Sequence, residues 1–204
     1  MSINDVDVLV MYAPIKDTDM TEPLVPKERQ QEVEGCKNER VRREKYLVWK
    51  LLAKATKQGL NLDFDNLKFT KTKFGQWISP DFFFSLSHTD GAVCVAVSRE
   101  AVGVDIEKTR DIKPSLLPRF LSDAEFKHAS MLGEDEKKRF FLEAWVKKES
   151  VFKMHGEESL MPRSMDTLEC GATVEYADIH GEEYLISLSC QSNAKYEIIY
   201  TEEI

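Results

Sequence analysis

Apolar positions recur along the chain with two periods, and the switches between them predict its elements. Val6, Val8, Val10 and Tyr12 alternate with Asp7, Leu9 and Met11, the period of a strand. The stretch through Pro23 and Pro26 reads as a loop. From about Lys37 to Lys57 the apolar residues Val41, Leu47, Val48, Leu51, Leu52 and Ala55 recur at helical spacing, and Gly59 is placed to stop the helix. Short strands are expected around Leu67 to Thr70, Phe82 to Ser87 and Ala92 to Ser98, the last two joined as a hairpin by His88, Thr89, Asp90 and Gly91. A further strand covers Ala101 to Glu107. Pro114 opens a short helix, Ser122 and Glu125 have the spacing of a capping box, and a long helix runs from about Asp135 to His155 before Gly156. Ala172 to Tyr176, Tyr184 to Ser189 and Lys195 to Tyr200 read as three closing strands.

Both halves therefore read as strand, long helix, then about three strands, without a residue-level repeat. The expected architecture is α+β, with two related halves, residues 1–98 and 99–204, and a cleft between them as the natural ligand site. At 204 residues, 42% hydrophobic and 31% charged, the chain can bury the core this needs. Its formal net charge of −8 argues against general binding to a nucleic-acid backbone, so a polyanionic ligand must find a local basic patch. Lys37, Arg40, Arg42, Arg43 and Lys45 at the start of the first long helix offer one, or form a solvated face. Cys36, Cys94, Cys170 and Cys190 are scattered without a C-x-x-C pair, which favours thiols over disulfides or a zinc site. The apolar run Ala92 to Val97 is far too short to span a membrane, and Met1 to Asp7 lacks a signal-peptide pattern, so a cytoplasmic, non-membrane protein is expected.

Candidate chemistry gathers in three places. In Gly103-Val104-Asp105-Ile106-Glu107, strand alternation turns Val102, Val104 and Ile106 one way and Asp105 and Glu107 the other. Two carboxylates on one face suit Mg²⁺, which takes one or two carboxylates and completes its octahedron with water and phosphate oxygens; they equally suit a strand facing water. On the long helix, Glu149 shares a stripe with Phe141, Trp145 and Phe152, so its carboxylate points inward and needs either a shared metal or an ion pair such as Lys153. Ser85-Leu86-Ser87-His88 ends a strand at the hairpin, where a histidine can donate to a phosphate or satisfy the turn.

Taken as an ordered set, Phe74-Gly75, Ser85-Leu86-Ser87-His88, Gly103-Val104-Asp105-Ile106-Glu107-Lys108 and Trp145-x-x-Lys148-Glu149-Ser150-x-x-Lys153 resembles the Sfp-type 4′-phosphopantetheinyl transferases, over roughly Phe74 to Leu160. The resemblance implies a pseudo-twofold fold of two similar halves, each a long helix on a small mostly antiparallel sheet, with coenzyme A bound between them. It implies Mg²⁺, or Mn²⁺, on Asp105, Glu107 and Glu149. It brings Ser87, His88, Arg40 and Arg42 to the coenzyme's 3′-phosphate region, Lys148 and Lys153 to the pyrophosphate, and Gly75 to the adenine. Gln76 and Trp77 depart from the Lys-Pro usual after that glycine, and Lys71 or Lys73 is placed to compensate.

The implied reaction moves 4′-phosphopantetheine onto a serine of an apo acyl or peptidyl carrier protein, as in fatty acid, polyketide and nonribosomal peptide biosynthesis. Glu149 is the expected proton acceptor and Lys153 the group that meets the departing phosphate, in a protein that works as a monomer. Lys108, Arg110, Lys113 and Arg119, with Leu116, Leu117 and Phe120, are the expected docking surface for an acidic carrier. The residues alone leave open a magnesium-dependent phosphohydrolase acting on a nucleotide or pyrophosphate, and a non-catalytic module that binds coenzyme A or a carrier.

Overall fold

A computed structural model describes residues 6–156 and 161–204; the first five residues of the N-terminal stretch read above, and Leu160 at the end of the resembling segment, lie outside them. The chain runs β1 (Val8–Pro14), α1 (Lys27–Glu34), α2 (Glu39–Leu60), the short β2 (Thr70–Lys71) and β3 (Trp77–Ile78), β4 (Phe83–Thr89), β5 (Ala92–Ser98) and β6 (Gly103–Lys108). It continues through α3 (Leu117–Phe120), α4 (Asp123–Ala129), α5 (Glu134–His155), β7 (Thr173–Ile179), β8 (Glu182–Ser189) and β9 (Tyr196–Tyr200). This is a mixed α+β fold with largely antiparallel sheets, as the periodicity predicts.

Local chemistry sets the helix ends. Asn38 caps α2 by accepting from the Val41 N–H, and Asn61, at φ 52°, closes it in the left-handed region. Gly59, expected as the stop, lies inside the helix. A Cβ there would stand 3.0 Å from Leu9 and 3.2 Å from Val97, so the glycine serves close packing of the helix on the sheet. The predicted capping box at Ser122 and Glu125 forms at the start of α4, and Gly156 caps α5 with φ 65°. The stretch after Pro26, read as a loop, is the helix α1. It buries only Arg29 and Val33, too little apolar content for periodicity to mark.

Four layers result. The sheet β4-β5-β1-β9 has one face under α2, where Leu47, Val48, Leu51, Leu52 and Ala55 cover Leu9, Met11, Val93, Val95 and Val97. Its other face carries Val8, Val10, Cys94 and Ala96 against Val104, Ile106, Ile186 and Leu188 of the second sheet, β6-β8-β7. Leu142 and Val146 of α5 cover that sheet's outer side at Leu185. β1 and β5 are central and buried on both faces, which is why they read as continuous apolar runs. The last of the three closing strands leaves its neighbours: β9 pairs parallel with β1, Val8 opposite Tyr196, and so completes the sheet of the N-terminal half. All four cysteines are free thiols, and among the described residues no helix is long and apolar enough to cross a membrane.

The two sheets meet along β4 and β6. There Ser85 Oγ accepts from the Val104 N–H at 3.0 Å and Ser87 Oγ from the Ile106 N–H at 3.2 Å. Serine hydroxyls thus stand in for the carbonyls of a partner strand, satisfying an edge that would otherwise hold bare N–H groups.

Candidate active site

Gly103 makes the site possible. A Cβ at that position would come within 1.9 Å of the Ser150 carbonyl oxygen and 2.5 Å of the Met154 nitrogen, so only glycine lets α5 lie directly on β6. The Ser150 hydroxyl then bonds those of Ser187 and Ser189 on β8, at 2.9 and 2.8 Å. By strand alternation Asp105 and Glu107 share the face of Gly103, and the seated helix carries Glu149 and Lys153 over them.

Asp105 is 5% exposed. Its Oδ1 accepts from Ser87 Oγ at 2.7 Å and from Lys153 Nζ at 2.7 Å, while its buried Oδ2 has no hydrogen-bond partner among the described residues. Glu107 accepts from the Thr89 hydroxyl at 3.0 Å and has Arg110 at 3.6 Å. Burial first, and then the Asp105 charge, raise the carboxyl of Glu107; Arg110, Thr89 and Lys153 oppose this. Burial and Asp105 likewise raise Glu149, against the pull of Lys153 and with a further push from Glu107. The three carboxylates therefore feel one another across a small, partly dry space. Among the described residues no three histidine, cysteine or acidic side chains stand ready to enclose an ion, and Lys153 neutralises part of the charge. Even so, the unsatisfied Asp105 oxygen and two carboxylates held in mutual repulsion form an all-oxygen donor set that a hard divalent cation fits.

Opposite this acidic floor stands a basic wall on α2 and the β4–β5 turn. Glu44, 4% exposed, accepts from Arg40 Nε at 2.9 Å and lies 3.4 Å from His88 Nδ1. Arg40 also reaches Asp90 through Nη2 at 3.2 Å. Arg42 is half-buried, with its Nε lacking a hydrogen-bond partner. Lys153, Asp105 and Arg29 all act electrostatically on His88, so wall and floor belong to one site.

Two expected coenzyme contacts are engaged elsewhere. Lys148 is fully buried: its Nζ bonds Glu125 at 2.5 Å and the carbonyls of Pro162 and Phe120 at 2.7 and 3.1 Å. Ser87 is committed to Asp105, Lys153 and β6, leaving it no spare reach toward a ligand. Gly75, expected at the adenine, sits exposed at φ 83° in the turn between β2 and β3. Of the expected docking residues, Leu117 and Phe120 are core, with Phe120 stacked on Trp145 at 4.4 Å. Lys113, Leu116 and Arg119 remain exposed.

Two glutamates escaped the sequence reading, Glu44 and Glu32, and Glu125 was read as a helix cap but not as the buried partner of Lys148. Burial would raise the Glu32 carboxyl, but hydrogen bonds from Lys71, Lys45 and Trp77, with the Arg29 charge, hold it at about 2. It thereby ties α1, α2, β2 and β3 together, and it engages Lys71, which was expected to face the coenzyme.

Comparison with known proteins agrees with this geometry. Residues 101–201 match the model of the 4′-phosphopantetheinyl transferase superfamily. The 4′-phosphopantetheinyl transferase Sfp of Bacillus subtilis is 28% identical over 131 residues, covering 61% of this chain and 58% of that protein. The transferase gsp of Aneurinibacillus migulanus is 30% identical over 113 residues, 55% of this chain and 48% of its own length. The ffp protein of Bacillus subtilis is 30% identical over 100 residues, 48% and 45% respectively. The chain thus spans about half the length of the curated relatives it matches. β6, α5 and the carboxylate face they carry lie inside residues 101–201, the segment that is similar to the 4′-phosphopantetheinyl transferase superfamily.

Proposed function

We propose that this protein transfers the 4′-phosphopantetheine arm of coenzyme A to a serine hydroxyl of an apo acyl or peptidyl carrier protein and releases 3′,5′-ADP. The observation that carries the reading is the partnerless, buried Asp105 Oδ2 beneath a helix that brings Glu149 and Lys153 over the same spot. The names of the relatives and the family match support it. We take the two halves to be related by a pseudo-twofold axis, supported by α2 lying on one sheet and α5 on the other, with residues 1–98 supplying the basic wall and 99–204 the acidic floor.

Asp105, through Oδ2, with Glu107 and Glu149 would hold Mg²⁺, or Mn²⁺ in its place. When bound, the cation neutralises charge on a diphosphate. Arg40 and His88 bind the 3′-phosphate end of the coenzyme, with Arg42 beside them. Glu149, raised by burial, accepts the proton from the attacking serine hydroxyl as that oxygen bonds to the β-phosphorus. The bond from that phosphorus to the oxygen of 3′,5′-ADP breaks, and Lys153 meets the charge left on the departing oxygen. Ser87 keeps Asp105 and Lys153 in register. The exposed Lys113, Leu116 and Arg119 receive an acidic carrier. The protein acts as a cytoplasmic monomer on a small cofactor and a protein partner, not on nucleic acid or a membrane.

The test mixes the protein, coenzyme A and Mg²⁺ with several apo-carriers and weighs the carriers by mass spectrometry. Gain of one phosphopantetheine, lost on chelation, is the expected result. Cleavage of coenzyme A without any carrier gain would replace this reading with a hydrolase, and binding without turnover would make the protein a binding module.

A further inference from the structure

We infer that Glu44 is a positioning residue: its buried carboxylate locks Arg40 and His88 into a single receptor for a phosphate monoester, and so sets the preference for coenzyme A over dephospho-coenzyme A. The inference rests on the proposed function for the identity of the ligand, and on the geometry of three side chains for the rest.

Arg40 and His88 come from different elements, α2 and β4, and both side chains reach solvent. The Arg40 side chain is 62% exposed and that of His88 43%, whereas Glu44 between them is 6% exposed. A long exposed arginine loses much rotamer freedom when a ligand immobilises it. Here that ordering is done in advance, because Glu44 Oε1 takes Arg40 Nε at 2.9 Å and Glu44 Oε2 faces His88 Nδ1 at 3.4 Å. Each side chain is held at one edge and keeps another. Arg40 retains Nη1, with Nη2 steadied by Asp90 across the turn, and His88 retains Nε2.

A carboxylate so placed also opposes an incoming anion. That repulsion acts from behind Arg40 and His88 and through solvent at an exposed rim, where screening is strong. Arg29, fixed over the Trp49 ring at 4.8 Å, adds further positive charge within reach of His88. The role of the carboxylate is to orient Arg40 and His88. The arrangement parallels the carboxylates behind metal-binding histidines, whose removal weakens binding without touching the ligand.

The experiment uses calorimetric binding of 3′,5′-ADP and of 5′-AMP, which differ by the phosphate monoester and require no carrier, beside KM and kcat for coenzyme A and dephospho-coenzyme A. Wild type is expected to bind 3′,5′-ADP at least tenfold more tightly than 5′-AMP. In Glu44→Gln the gap closes to within about twofold, and KM for coenzyme A rises about tenfold, ~1.4 kcal/mol, with kcat changed less than twofold and dephospho-coenzyme A unaffected. Arg40→Lys keeps the charge on an exposed side chain but loses the Nε grip. It is expected to lose most of the same gap, which covers the case in which Glu44→Gln does not fold. A gap retained or widened in either variant overturns the inference, as does a wild type that binds the two nucleotides equally. A wild type with the gap but no carrier transfer leaves the receptor standing and removes the proposed function instead.

Discussion

The two faces of α5 carry the same charged residue types and use them oppositely. On one face Lys148 meets Glu125, and both are sealed from solvent: Glu125 also takes the Thr167 hydroxyl at 2.6 Å and the Ser122 N–H at 2.7 Å. Burial would raise the Glu125 carboxyl, but Lys148, Thr167 and Ser122 hold it below the usual carboxylate range. On the other face Lys153 shares Asp105 with Ser87, one oxygen of that carboxylate stays unsatisfied, and Glu107 and Glu149 are pushed up. The first arrangement is complete and holds α4, α5 and the segment around Pro162 together. The second is left incomplete in a way that a ligand finishes. A charged pair thus points to stability when every donor and acceptor is matched, and to chemistry when an atom is left over.

Substitutions can break that contrast. Gly103→Ala acts on both faces at once, since the added methyl collides with the α5 backbone. A loss of at least 4 kcal/mol in urea unfolding is expected, with transfer abolished; a near-native stability would mean that α5 can lift from β6 at little cost. Lys148→Met strands the Glu125 carboxylate in the core, and about 3–5 kcal/mol should be lost in the same measurement. Lys153→Met should leave stability within about 1 kcal/mol of wild type but lower kcat at least 100-fold in the carrier assay, roughly 2.7 kcal/mol. If the stability losses of the two lysine variants matched, the division between the faces would be wrong. Smaller again is Glu32→Gln, a matched hub in the other half. Because the folded carboxyl lies at about 2, below the ordinary glutamate value of 4.5, its stabilising effect is full above pH 4.5 and disappears as pH falls through about 2. The gap between wild type and Glu32→Gln, about 2 kcal/mol at neutral pH, should therefore close over that window in thermal unfolding.

Much of this was legible from periodicity. The alternation of Val102, Val104 and Ile106 with Asp105 and Glu107 placed the carboxylates correctly, because a strand allows only two faces. Helix geometry also separates the two lysines: five residues at about 100° each turn Lys153 some 140° from Lys148, whereas Glu149 and Lys153, four apart, share a face. The motif resemblance drew both lysines to the pyrophosphate, and the helical angle was the better guide. Glu32 and Glu44 were illegible for a different reason, and Glu125 was legible only as a cap. Each owes its further role to partners far along the chain, Trp77, His88 and Thr167 among them, and no local pattern announces those partners. The departure of β9 to the other sheet is equally long-range, since alternation predicts a strand but not its neighbour.

That strand has a consequence for synthesis of the protein. β1 leaves the ribosome well before the neighbour on its β9 side, since every other element of the fold lies between the two in the chain. Throughout elongation one flank of a strongly apolar strand lies bare and able to pair with other nascent chains. Truncations that remove the Tyr196–Tyr200 segment should therefore aggregate during expression even though every side chain of the acidic floor is still present.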